Sequence, residues 1–186
     1  MGEIGDYLAE AVAALGSLDP GGLERAAGIC ADSIRAGGTV FFCGNGGSAA
    51  DSMHLAAELV GRFGRDRAPI RAVALTADTA VLTAVANDYG YDRVFARQIE
   101  ALGRTGDVLV AISTSGSSPS VLRAVEAARA AGMKVVAMTG EKGGGFAASA
   151  DAAVVSPSGF PGHVQEVLLA AGHALCLAVE NSVRGS

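Results

Sequence analysis

Five short apolar runs, each followed by a polar or glycine-rich loop and then a helical pattern, constrain this chain more than any other feature. They occupy residues 39–43 (TVFFC), 72–75, 108–112 (VLVAI), 134–138 (KVVAM) and 152–155. Their hydrophobicity is nearly continuous rather than alternating, as expected of strands covered by helices on both faces. The apolar spacing between them predicts helices over 48–63, a broken pair across 79–86 and 92–102, one over 119–131 and a short one near Phe146. A long last helix begins between His163 and Val167. Strand–helix alternation with right-handed crossovers gives an α/β fold, a doubly wound five-stranded parallel sheet flanked by helices.

Two amphipathic helices precede the first strand. One carries Ile4, Tyr7, Leu8, Ala11, Val12 and Leu15 and stops at Gly16 and Ser17; the other carries Leu23, Ala26, Ala27, Cys30, Ala31 and Ile34 and stops at Gly37-Gly38. We read them as an N-terminal helical hairpin. The 186 residues form one domain, with 1–36 as oligomerisation helices and 37–186 as the α/β core. Half the residues are hydrophobic and only 18% charged, enough for a packed core. A net charge of −5 without a Lys/Arg cluster argues against nucleic acid as a partner.

No stretch without a charged residue is longer than 108–122, which contains glycine, proline and hydroxyls and falls short of the ~20 apolar residues of a membrane span. We therefore expect no membrane partner. The acidic N-terminus lacks a secretory pattern. Cys30, Cys43 and Cys176 are widely spaced in apolar runs and read as buried, reduced thiols of a cytoplasmic protein.

In doubly wound sheets ligands bind beyond the carboxyl ends of the strands, where the strand order reverses. Two loops there stand out. Gly44-Asn45-Gly46-Gly47-Ser48 follows the first strand and leads directly into a helix. It reads either as an anion cradle of backbone N–H groups or as a sharp turn with Ser48 as helix cap. Ser113-Thr114-Ser115-Gly116-Ser117-Ser118-Pro119 follows the third strand and sets five hydroxyls around one glycine, more than capping requires. Hydroxyls and backbone amides at a helix start suit a phosphate, and we favour that over a solvated serine-rich loop.

On the helix predicted over 48–63, His54, Glu58 and Arg62 fall at i, i+4 and i+8. This is either a surface ladder or one edge of a site. The last helical pattern supplies Gln165, Glu166 and His173, the last amid leucines and alanines. A histidine there is either a satisfied core residue or a functional one. Asn87-Asp88-Tyr89-Gly90 reads locally as a turn.

GNGGSAAD, NDYGY, STSG and VQE with its later histidine together resemble the sugar isomerase (SIS) domain family and, within it, the phosphoheptose isomerases. The likeness runs from about Gly38 to the last helix. It implies a flavodoxin-like fold, a homotetramer, and interconversion of sedoheptulose 7-phosphate with D-glycero-D-manno-heptose 7-phosphate through an enediol. It also implies one Zn²⁺ per subunit, held by His54, Glu58, Gln165 and His173, with Glu58 and His173 transferring protons. Asn45, Gly46, Gly47, Ser48, Glu58, Arg62, Asp88, Ser113, Thr114, Ser115, Ser118 and Gln165 fall on substrate-binding positions. Related SIS proteins bind a phosphosugar as a signal, or act as adaptors for a replication initiator, and retention of the His/Glu/Gln/His set favours the enzyme; isomerisation of another phosphosugar in a specialised pathway is a further alternative.

Two imidazoles, a carboxylate and an amide suit zinc chemically. Gln165 and His173, however, would stand ~12 Å apart along a straight helix. Gln165 therefore precedes the helix, or the side chains lean toward each other, or protomers share the site. One departure from the family lies just before VQE, where this chain has Phe160-Pro161-Gly162-His163 in place of a polar substrate contact. His163 either replaces that contact or is a loop histidine exposed to water.

Overall fold

The computed structural model describes residues 2–183. Two helices come first, α1 (Glu3–Gly16) and α2 (Pro20–Arg35). Asp19 starts α2 by accepting the N–H groups of Gly21 and Gly22, with Pro20 in the first turn, where no amide is needed. Next come β1 (Val40–Cys43), α3 (Gly47–Val60), β2 (Ala72–Ala74), α4 (Thr79–Tyr89), a 3-10 turn (Tyr91–Arg93) and α5 (Ala96–Leu102). The chain continues through β3 (Val108–Ser113), α6 (Pro119–Ala130), β4 (Lys134–Gly140), a second 3-10 turn (Glu141–Gly143), α7 (Gly144–Ala148), β5 (Ala152–Ser156) and α8 (Pro161–Ser182).

All strand pairs are parallel, in the order β2-β1-β3-β4-β5. The order reverses between β1 and β3, so the two loops singled out above flank the switch point. The register aligns Phe42, Val110, Val136 and Ala152 across the sheet. These face a core shared with Leu55, Leu59, Leu168 and Leu175. The alternate residues Phe41, Leu109 and Val135 face a second core with Phe95, Ile99 and Val121. Every residue of β1 and β3 is buried, which accounts for their continuous apolar character. Cys30, Cys43 and Cys176 are buried free thiols, and burial pushes each up to about 12.

The two N-terminal helices have different roles. α2 packs on β5 and α8 and buries Ala26, Ala27, Cys30 and Ala31, so it belongs to the core. α1 rests on α8 with no buried residue of its own, leaving Ile4, Leu8, Val12 and Leu15 exposed. The segment 1–36 thus divides between core and surface.

Four local expectations change. α8 begins at Pro161, since proline at a first turn has φ preset and no N–H to lose. Gln165 therefore lies inside the helix and not ahead of it. α3 ends at Val60, placing Arg62 beyond the helix and off the His54–Glu58 face. Asn87, Asp88 and Tyr89 are the last residues of α4, and the turn comes at Gly90, whose φ of +92° favours glycine. Finally, α8 is by length and composition apolar enough to cross a membrane, contrary to the reading from charge-free runs. Half of that apolar window is buried within the fold.

Candidate active site

Gly44 closes the gap between the ends of β1 and β3. A Cβ there would lie 2.6 Å from the Ser48 Cβ and 2.9 Å from the Ile112 carbonyl oxygen. Gly46, at φ +57°, turns the chain into α3 and takes the cap position expected of Ser48. The second loop turns at Gly116, at φ +67°.

Asn45 joins the two loops. Its Nδ2 donates to Ser118 Oγ at 2.7 Å and to Ser120 Oγ at 2.9 Å, while Tyr91 Oη donates to its Oδ1 at 2.8 Å. Ser118 thus uses its hydroxyl across the loops rather than capping α6. Ser115 and Ser117 hydroxyls stand 3.0 Å apart at the surface. Ser113 is the buried last residue of β3, and Thr114 is half-buried above it. A cavity of about 100 Å³ lies between Thr114, Ser115, Lys142 and Ser158.

α3 and α8 run side by side. Gly172 allows the approach, since a Cβ there would meet Leu55 Cδ1 at 2.6 Å. One turn from the loop, Asp51 accepts a hydrogen bond from Gln165 Nε2, and Ser48 Oγ donates to Gln165 Oε1 at 3.3 Å. Burial pushes the Asp51 carboxyl up to about 6 against the downward pull of His54. Further along, His54 Nε2 lies 2.7 Å from His173 Nε2 and 3.5 Å from Glu58 Oε1. The Phe63 ring packs against His173 with centroids 5.5 Å apart. Glu58 is one-fifth exposed and His54 nearly half, so this trio borders solvent.

Three of the four expected zinc donors therefore meet, and Gln165 does not join them. It sits two helical turns from His173 and is engaged with Asp51 and Ser48. By donor type, two imidazole nitrogens and a carboxylate fit zinc. Their spacing is that of a hydrogen-bonded cluster, because ligands sharing a tetrahedral zinc lie about 3.3 Å apart. Among the described residues no three His, Cys, Asp or Glu side chains stand at metal-site spacing.

Arg62 and Asp88 are exposed. Asp88 Oδ1 accepts only from the neighbouring Asn87 among the hydrogen bonds of the described residues. His163 is not a solvated loop residue. It is 3% exposed in the first turn of α8, beneath α1, with Nδ1 3.1 Å from Glu166 and Nε2 3.4 Å from Glu10. The Tyr7 ring packs on it, and Tyr7 Oη donates to Glu166 at 2.6 Å. Hydrogen bonds from Tyr7 and His163 hold the Glu166 carboxyl below the usual range.

Sequence reasoning missed Asp51, Tyr91 and Ser120. Asp51 had a signal, lying three residues before His54 and so on nearly the same helical face. Two clefts, of 530 and 570 Å³, open at the amino end of the sheet and contain none of the expected site residues.

The SIS-domain family model matches residues 6–140. The phosphoheptose isomerase of Rhodospirillum rubrum is 53% identical over 161 residues, covering 87% of this chain and 86% of that protein. The structure of phosphoheptose isomerase from Neisseria gonorrhoeae superposes with a TM-score of 0.89 at 40% identity, covering 96% of this chain and 97% of that one. The enzyme from Francisella tularensis gives 0.92 at 35% identity over the same shares.

Proposed function

The chain belongs to the phosphoheptose isomerase family of SIS-domain proteins, and on that premise we propose that it interconverts sedoheptulose 7-phosphate and D-glycero-D-manno-heptose 7-phosphate. The observation that carries this reading is the meeting of Glu58, His54 and His173 on two adjacent helices, below a pair of loops laced together at the switch point.

The spacing suits an acyclic sugar phosphate. From Ser48 at the start of α3 to His54 is about 9 Å along the helix axis, and Glu58 lies a further turn away. A phosphate held by Ser48, Thr114, Ser115, Ser118 and the backbone of Gly46 and Gly47 leaves the carbonyl end of a seven-carbon chain near the Glu58 carboxylate. Asn45, Arg62, Asp88, Ser113 and Gln165 complete the proposed contacts, Gln165 from its place beside Ser48.

Aldose–ketose isomerisation moves a proton between neighbouring carbons and rearranges protons on the two oxygens. Glu58 takes the carbon-bound proton and returns it to the adjacent carbon. His173 serves the oxygens and ring opening, with a hydrogen bond that stabilises charge developing on the enediolate. His54, bonded to the His173 ring nitrogen, fixes its orientation and tautomer.

We also propose one zinc ion per subunit, held by His54, Glu58 and His173. When bound, the ion would take the place of the His54–His173 hydrogen bond as the link between the two rings and would supply a Lewis acid for the substrate carbonyl. The exposed Ile4, Leu8, Val12 and Leu15 of α1 support assembly into a homotetramer through that helix. The buried thiols are consistent with a cytoplasmic setting.

The test is an assay of the purified protein with sedoheptulose 7-phosphate, with and without a chelator. We expect the aldose to form, and turnover to vanish on Glu58→Gln. Binding of the sugar phosphate without any conversion would replace this reading with a non-catalytic one.

A further inference from the structure

The last carbonyls of an α-helix lack donors within the helix. At the end of α3, Ala57 O is met by Gly61 N–H at 2.8 Å and Leu59 O by Ile70 N–H at 3.1 Å. Glu58 O is met by a side chain, Arg67 Nη2, at 2.9 Å. The same guanidinium donates from Nη1 to Gly61 O at 3.1 Å and Ala68 O at 3.0 Å, and from Nε to Glu180 Oε2 at 3.1 Å. Its positive charge also complements the negative end of the helix dipole.

Glu180 lies on α8, seven residues after His173, and its side chain is only 4% exposed; that of Arg67 is 12% exposed. The two Glu180 carboxylate oxygens also accept the N–H groups of Phe63 and Gly64, each at 3.0 Å. Burial pushes this carboxyl up, but those two amides and Arg67 outweigh it and hold it below its ordinary range. The amide bond fixes Phe63, whose ring packs against His173 at a tilt of 33°. One buried ion pair therefore holds the backbone of Glu58 on one side and the aromatic seat of His173 on the other.

We propose that Arg67 and Glu180 are positioning residues for the isomerisation, setting Glu58 and His173 from outside the pocket. The inference rests on the isomerase reading above and extends it to residues that do not touch substrate. A guanidinium fork is needed because an ammonium cannot reach the Glu58, Gly61 and Ala68 carbonyls and Glu180 at once.

The test compares the wild-type protein with Arg67→Lys, Glu180→Gln and Phe63→Leu, measuring kcat and KM for sedoheptulose 7-phosphate and the NMR shift of the His173 imidazole proton. Arg67→Lys keeps a charge beside Glu180. It should lower kcat by about 10- to 100-fold, the cost of an ångström-scale misplacement, and leave KM unchanged. The His173 resonance should move in Arg67→Lys through displacement of the Phe63 ring over it, and Phe63→Leu calibrates the shift expected when that ring is gone. Loss of fold in Arg67→Lys leaves the same expectations to Glu180→Gln, which keeps the side-chain shape and removes the charge that holds Arg67 and the Phe63 amide. Wild-type kcat and an unshifted His173 signal in Arg67→Lys and Glu180→Gln would overturn the proposal. If the wild-type protein does not convert the substrate, the isomerase reading fails separately, and the His173 shift alone decides whether the pair positions that ring.

Discussion

Replacing Asp51 by Asn should stabilise the protein at neutral pH and leave its relative stability unchanged in acid. Asp51 is only 8% exposed, and burial raises its carboxyl from 3.8 to about 6. The folded state therefore holds the Asp51 proton over a range in which the unfolded chain has released it. Between these two values the folded state binds more protons, so stability falls as pH rises. At ~1.36 kcal/mol per unit, a rise of about two units costs the wild-type protein about 3 kcal/mol by pH 7. Asn has the same shape, and its amide oxygen can still accept from Gln165. The stability difference between Asp51→Asn and wild type should thus grow by about 2 kcal/mol from pH 4 to pH 7 and then level off. Urea unfolding at fixed protein concentration, followed by circular dichroism at several pH values, measures it. A difference constant across that range would refute the reasoning, because it would mean that ionising Asp51 costs the fold nothing. A carboxylate retained at such cost beside Ser48 and Gln165 is the kind of feature selected for function over stability.

Three other substitutions test the site. Glu58→Gln should reduce kcat by at least about 10²-fold with the thermal transition little changed, as expected for loss of a general base; retained turnover would remove Glu58 from the mechanism. His54→Ala should lower zinc content measured by elemental analysis after equilibration with the metal, and unchanged zinc would refute the three-residue assignment. Gly116→Ala should destabilise by about 2 kcal/mol or more, since φ is +67° and the added Cβ would lie 2.5 Å from Gly143 Cα. A melting temperature equal to that of wild type would show that the loop can relax.

The amino-acid order by itself determined the layers and the place of the two polar loops that border the candidate site. Uninterrupted apolar runs such as VLVAI can be satisfied only between two helical layers, and all five strands fall where those runs lie. Glycines 44, 46 and 116 mark loops whose backbone no larger residue fits comfortably, and both loops stand at the reversal of strand order. These are local signals, set by spacing and steric limits along a few residues. The partner of each polar side chain depends instead on how helices are rotated and where they end. Proline at the first turn drew Gln165 into α8, toward Asp51 and away from His173. The closing turn at Gly61 took Arg62 off the helix and brought Arg67 back onto it. Packing of α1 over α8 buried His163, and the sheet took α2 but not α1 into its core. Each of these contacts joins residues distant along the chain, and helical periodicity alone fixes neither a helix's rotation against its neighbour nor the side chain it meets.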